Sequence, residues 1–160
     1  MSLTDSLQMI ATTGRDPRFG TMCLELDAYL NDLVGGEVQR RDYVQYNTPE
    51  AVTDVLLLLD GDQAAGCAGF KRFSADTAEV KRVYTRPAYR RHGHARLLMQ
   101  RLEELALSKG YSRLILETGR LMTPAIRFYT DIGFTRIENY AQYQGMPESV
   151  CFAKPLIPHT

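Results

Sequence analysis

The stretch from Ala78 to Lys109, AEVKRVYTRPAYRRHGHARLLMQRLEELALSK, constrains the fold of this chain more than any other. Its first part, AEVKRVYT, carries β-branched and aromatic residues and stops at Arg86-Pro87, where a proline without a backbone N–H ends regular pairing. Leu98, Leu102 and Leu105 then recur at helical spacing, with Met99 and Ala106 widening the apolar stripe. Between strand and helix lies RRHGHA, residues 90–95. Its glycine allows a close backbone approach, and the free N–H groups of a helix start can receive an anion. A phosphate-bearing cofactor seated on that turn is the expectation. The pattern Arg90-x-x-Gly93-x-Ala95 also occurs as plain chain punctuation; its place between a strand and an amphipathic helix gives it weight. It lacks the GxxxxGK[ST] spacing of a phosphate loop and the two further glycines of a dinucleotide fingerprint.

Around this unit the pattern predicts a strand over Ser6–Thr13 and a helix over Arg18–Val34, ended by Gly35-Gly36. Residues 37–50 are polar and show no clean period. A meander follows: Val52–Leu59, a turn at Asp60-Gly61-Asp62, Gln63–Phe73, then Thr77–Thr85. Gly66 and Gly69 hint at a bulge or close packing. The helix from about His94 to Lys109 ends at Gly110, and Tyr111–Thr118 is a strand whose apolar centre, Leu114-Ile115-Leu116, suits burial on both faces. Thr123-Pro124 reads as a cap and first position of a helix that ends at Gly133. Phe134–Ile137 and Ser149–Lys154 are the last strands. The order is that of a mixed α/β chain, and residues 1–160 read as one domain.

Charge is balanced overall but uneven locally. Net charge is zero, yet Lys81, Arg82, Arg86, Arg90, Arg91 and Arg96 lie within sixteen residues that contain no acid. A cationic island in a neutral chain suits a compact anionic ligand better than a long polyanion, so nucleic acid is not an expected partner. Cys23, Cys67 and Cys151 are odd in number and lack CxxC spacing, which argues for a reducing compartment and against a cysteine metal site. No His/Cys/acid cluster has ligand spacing, so no metal is expected. The N-terminus lacks a signal-peptide pattern, and the longest aliphatic run, Val55–Leu59, is too short for a membrane span. Cytoplasmic residence is the default. A homodimer through the terminal strands or helices is compatible with the pattern, which does not specify oligomeric state.

The segment VYTRPAYRRHGHARLLMQRLEELALSKGYSRLILET, followed by AIRFYTDIGF, resembles the GCN5-related N-acetyltransferase (GNAT) family, most clearly over Glu79–Phe134. The R-x-x-G-x-A turn and the A-I-x-F-Y-x-x-x-G-F helix occur together at the family's separation. The resemblance implies the acyl-CoA N-acyltransferase fold, a central mostly antiparallel sheet flanked by helices, with acetyl-CoA as cofactor. It implies that the N–H groups of Arg91, His92, Gly93, His94, Ala95 and Arg96 cradle the pyrophosphate, where dipole and donors both favour an anion. Arg90, Arg91 and Arg96 either add charge there or are solvated. The backbone of Val83, Tyr84 and Thr85 corresponds to the pantetheine-binding strand, and the Val83 N–H to the donor that polarises the thioester oxygen.

Tyr129 aligns with the family's proton donor to the departing thiolate. A phenol of pKa about 10 can donate to a thiolate of about 8.5 without strong tuning. The other reading of Tyr129 is a core aromatic on the helix face. Glu79 and Glu117 are the candidate bases for the incoming amine, directly or through water, and each is equally readable as a solvated or paired strand-end carboxylate. Three positions depart from the commonest family pattern: Ala95 replaces a second glycine, Thr85 an aliphatic residue and Met122 an asparagine.

Family architecture places the acceptor between residues 31–47 and 138–148, which hold Tyr43, Tyr46, Tyr140 and Tyr143. These form either an aromatic wall for a small amine or ordinary amphipathic loops. The expected activity is acetyl transfer to a primary amine, favouring a small molecule, by direct attack in a ternary complex. Its rivals are acetylation of a protein amine and a non-catalytic acyl-CoA-binding module.

Overall fold

A computed structural model of the chain describes residues 7–33 and 48–158. The elements are β1 (Leu7–Thr12), α1 (Pro17–Leu33), β2 (Asp54–Asp60), β3 (Gln63–Arg72), β4 (Thr77–Thr85), α2 (His94–Ser108), β5 (Arg113–Gly119), α3 (Thr123–Asp131), β6 (Thr135–Ile137) and β7 (Ser149–Pro155). Short 3-10 turns occur at Pro49–Ala51, Pro87–Tyr89 and Ala141–Tyr143. Every expected strand and helix is present. Hydrogen bonding links the strands in the order β1-β2-β3-β4-β5-β7-β6. The described registers are antiparallel except for β4 with β5, so this is a mixed α/β chain with a mostly antiparallel sheet. Its contacts group into two compact units, Met1–Lys71 with Val80–Leu105, and Arg72–Glu79 with Ala106–Thr160.

In the first unit, β1 runs antiparallel to β2 from Leu7↔Asp60 to Thr12↔Val55. Asp60 pairs with Gln63 across a two-residue turn, and Gly61 supplies the left-handed φ of 62° that such a turn needs. The register then shifts: Leu59 faces Ala64 while Leu58 faces Gly66, leaving Ala65 as the extra residue of a bulge. Phe19, Met22, Cys23 and Leu26 of α1 fall on one helical stripe and pack on Val55, Leu57, Leu59, Cys67 and Tyr84. Each large side chain so buried contributes about 1.5–3 kcal/mol. Gly66 lies on the opposite face, under α2: a Cβ there would sit 3.1 Å from Leu98 Cδ1. At Gly69 a Cβ would sit 2.5 Å from Val52 Cγ1. Of the two expected purposes the glycines serve close packing, and the bulge falls on Ala65.

In the second unit, β5 is parallel to the start of β4, with Thr77↔Arg113, Ala78↔Leu114 and Glu79↔Ile115. On its other side it pairs antiparallel with β7, from Arg113↔Pro155 to Gly119↔Ser149. Leu114, Ile115 and Leu116 are all buried, as a strand covered on both faces requires. The start of α3 corrects one expectation. Met122, not Thr123, is the cap; Thr123 is already helical and no side chain caps the end. The reason is a turn just upstream, in which Met122 N–H donates to the Gly119 carbonyl at 3.0 Å and brings the chain into the helix one residue early. Among the described residues no helix is long and apolar enough to cross a membrane.

Candidate active site

In the first unit, the site elements follow a break in β4. Arg82 has a φ of 62°, a left-handed backbone that an arginine adopts only when its surroundings fix it. Here they do. Arg82 Nη1 donates to Asp27 Oδ1 of α1 at 2.7 Å, and the Cys67 thiol donates to the Arg82 carbonyl at 3.2 Å. Val83, Tyr84 and Thr85 follow directly, with Tyr84 anchored in the α1 core. The Thr85 hydroxyl is buried and has no partner among the described residues.

The turn after β4 is built by its arginines. Arg86 grips Glu25 of α1 with two arms and donates to the Ala64 carbonyl at 2.7 Å. Arg90 Nε donates to the Thr85 carbonyl at 2.8 Å, and its guanidinium lies 4.8 Å from the Tyr29 ring centroid and 5.8 Å from that of Tyr84. Arg82, Arg86 and Arg90 therefore shape the scaffold, while Arg91 and Arg96 are exposed. Arg91 and Gly93 both take left-handed φ, 68° and 79°. Leu97 N–H closes the first helical bond to the Gly93 carbonyl, whereas the N–H groups of Arg91–Arg96 have no backbone acceptor among the described residues. Such a row of donors at the start of a fifteen-residue helix fits an anionic group. His92 is exposed; His94 is half-buried 5.7 Å away, ring to ring, and burial followed by the His92 charge pushes its pKa down.

In the second unit, Glu79 and Glu117 come to one face of the sheet. Glu79 is level with Ile115, and Glu117 lies two residues further along β5, so both project to the same side. Glu79 is 2% exposed and accepts a hydrogen bond from Tyr140 Oη at 2.6 Å. Glu117 accepts one from Ser149 Oγ at 2.7 Å. Tyr143 and Cys151 sense both carboxylates. Burial, reinforced by these acids, pushes the Tyr140 and Tyr143 phenols and the Cys151 thiol up, so all three stay neutral at working pH. The side chain of Asn139 orders the loop by donating to the carbonyls of Tyr143, Met146 and Ser149.

Tyr129, on α3, is packed edge-on against Phe128 and Phe134 at 5.3 and 5.6 Å. Burial alone pushes its phenol up, which keeps the hydroxyl protonated. The packing bears out the core reading of the ring, and the hydroxyl it carries keeps its proton. The expected aromatic wall divides. Tyr143 is a core side chain at 1% exposure, Tyr140 is half-buried against Glu79, and Tyr43 and Tyr46 lie outside the described residues. The pairing of Tyr140 with Glu79 and of Ser149 with Glu117 carried no sequence signal, because each joins positions far apart in the chain. Among the described residues no three His, Cys, Asp or Glu side chains stand together as a metal site.

A family model described as the Acetyltransferase (GNAT) family matches residues 24–134. The IAA acetyltransferase of Azospirillum brasilense is 31% identical over 82% of this chain and 86% of its own length. The uncharacterized N-acetyltransferase YsnE of Bacillus subtilis is 36% identical over 61% of this chain; the match spans 66% of that protein. A crystal structure from Klebsiella pneumoniae, described as an acyl-CoA N-acyltransferase, superimposes with a TM-score of 0.76 at 28% identity, covering 94% of this chain and 98% of that one.

Proposed function

The chain belongs to the GNAT acetyltransferase family, whose members are acetyl-CoA-dependent N-acetyltransferases, and from that premise we propose that it acetylates the primary amine of a small molecule. The observation that carries the donor side is the turn at Arg91–Arg96, with unspent N–H groups opening α2. Acetyl-CoA, when bound, supplies an activated acyl thioester. The turn would hold its pyrophosphate, the backbone of Val83, Tyr84 and Thr85 its pantetheine, and exposed Arg91 and Arg96 would add charge. Residues 1–160 are read as one catalytic domain.

The chain's own groups divide the proton work. Glu79 takes a proton from the acceptor amine, with Glu117 as the second carboxylate on that face. The Tyr129 hydroxyl holds the proton that the leaving sulfur needs, and its burial favours the protonated form. The Val83 N–H is assigned to the thioester oxygen. The amine attacks directly, without an acyl-enzyme. A small acceptor is favoured because the Asn139-tied loop, with Tyr143 buried in it, sets an ordered segment beside Glu79. The reading also includes cytoplasmic residence, in keeping with three free buried cysteines, and a homodimer through the terminal strands or helices, to be read by light scattering.

Thiol release from acetyl-CoA across a broad panel of small primary amines and lysine-containing peptides tests the proposal. Turnover with small amines and none with peptides is expected. Turnover confined to peptides would reassign the acceptor, and binding of acetyl-CoA without turnover on any of them would favour a non-catalytic module.

A further inference from the structure

We propose that Tyr140 is a positioning residue: its hydroxyl holds Glu79 through Oε2 in the orientation from which that carboxylate takes the proton of the acceptor amine. The inference rests on Glu79 being the base, as read above.

The separation of 2.6 Å lies in the range of an O–H donor on a charged acceptor. The Tyr140 ring is itself held. Phe73 meets it edge-on with centroids 5.3 Å apart at 75°, and Tyr143 does so at 5.5 Å and 89°. Asn139, the preceding residue, fastens the loop through three carbonyls, and Tyr143 anchors it in the core. A loop fastened at these points carries the hydroxyl to one place. Glu79, buried at 2% exposure, needs a donor if it is to remain a carboxylate away from water, and Tyr140 provides one.

Among the described residues, Tyr143 of the loop and Cys151 of β7 also feel the Glu79 carboxyl, Glu117 of β5 shares its face, and Arg136 of β6 lies near Cys151. Lys81 lies two residues further along the same strand. Burial keeps the phenols and the thiol neutral, so the Tyr140 proton stays on its oxygen while the amine's proton goes to Glu79.

Tyr140→Phe keeps the ring and both edge contacts and removes only the hydroxyl. A difference infrared spectrum of the carboxylate stretch, referenced to Glu79→Gln, follows Glu79 without any acceptor present. The Glu79 band in Y140F should shift in frequency, the signature of a carboxylate that has lost a short O–H donor. For the best amine of the panel kcat/KM should fall roughly 10-fold. In an E79Q background the same substitution should have no further effect, a coupling that is readable whatever Y140F does to stability. Phe73→Leu, which loosens the ring packing and keeps the hydroxyl, should change the same readouts in the same direction but by less than Y140F does. An unchanged band and kcat/KM in Y140F, or effects that simply add to those of E79Q, overturn the positioning role while leaving Glu79 as base. Undiminished turnover in E79Q overturns the base assignment and this inference with it.

Discussion

Arg86 holds Glu25 with both arms of its guanidinium, Nε 3.0 Å from Oε1 and Nη2 2.6 Å from Oε2, and so ties the end of β4 to the middle of α1. A third bond, from Nη1 to the Ala64 carbonyl, adds the start of β3. The pair is partly exposed, 25% and 36% for the two side chains, so solvent screens much of its strength. Arg86→Ala should cost about 1–2 kcal/mol in denaturant titrations, and Arg86→Lys should recover only part, since an ammonium cannot span two oxygens in this way.

Gly93 is the one glycine of the turn before α2, and its φ of 79° is a conformation that alanine enters at a cost. Gly93→Ala adds that strain and a methyl group at the turn proposed to seat the pyrophosphate. Calorimetry should show acetyl-CoA binding weakened roughly 10-fold, with the melting temperature lowered only slightly.

Tyr129→Phe removes a hydroxyl and keeps the ring packed against Phe128 and Phe134. Turnover should fall about 10- to 100-fold with acetyl-CoA affinity unchanged, the pattern of a lost proton donor. Because burial raises the phenol above its ordinary range, no alkaline loss of kcat below about pH 10 should trace to this residue. Unaltered single-turnover rates in Y129F would return Tyr129 to the core.

Asp16 accepts the Arg18 backbone N–H at 2.9 Å and also the Arg18 guanidinium, and so caps α1. Its carboxyl is held at about 2, chiefly by the Arg18 side chain. A folded-state pKa below the unfolded one gives stability that is present above about pH 4 and is lost as pH falls toward about 2. Asp16→Ala should therefore cost about 1 kcal/mol at neutral pH, and nearly nothing once the wild-type carboxyl is protonated. A cost independent of pH would leave helix propensity, not charge, as the cause.

The sequence was most legible where one local pattern decided the matter. β4 ends where Arg86-Pro87 ends it, and α2 starts at the histidine after Gly93, as chain punctuation demanded. The cationic island was legible as charge but not as role. Arg82 and Arg86 spend theirs on Asp27 and Glu25, partners more than fifty residues earlier that no local reading could supply. The left-handed Arg82 was equally hidden, because its conformation is set by Asp27 and Cys67 and not by its neighbours in the chain. Glu79 was found as a candidate base from its place on the strand, whereas its clamp came from a loop 61 residues away.

Direct transfer from acetyl-CoA to an amine is tested most plainly by pairing initial-velocity kinetics with mass spectrometry, using the best amine of the panel. One N-acetylated amine per CoA released is expected, with intersecting velocity patterns and no acetyl group on the protein when the amine is withheld. CoA released without an N-acetylated product, or parallel patterns with an acetylated protein, would contradict it.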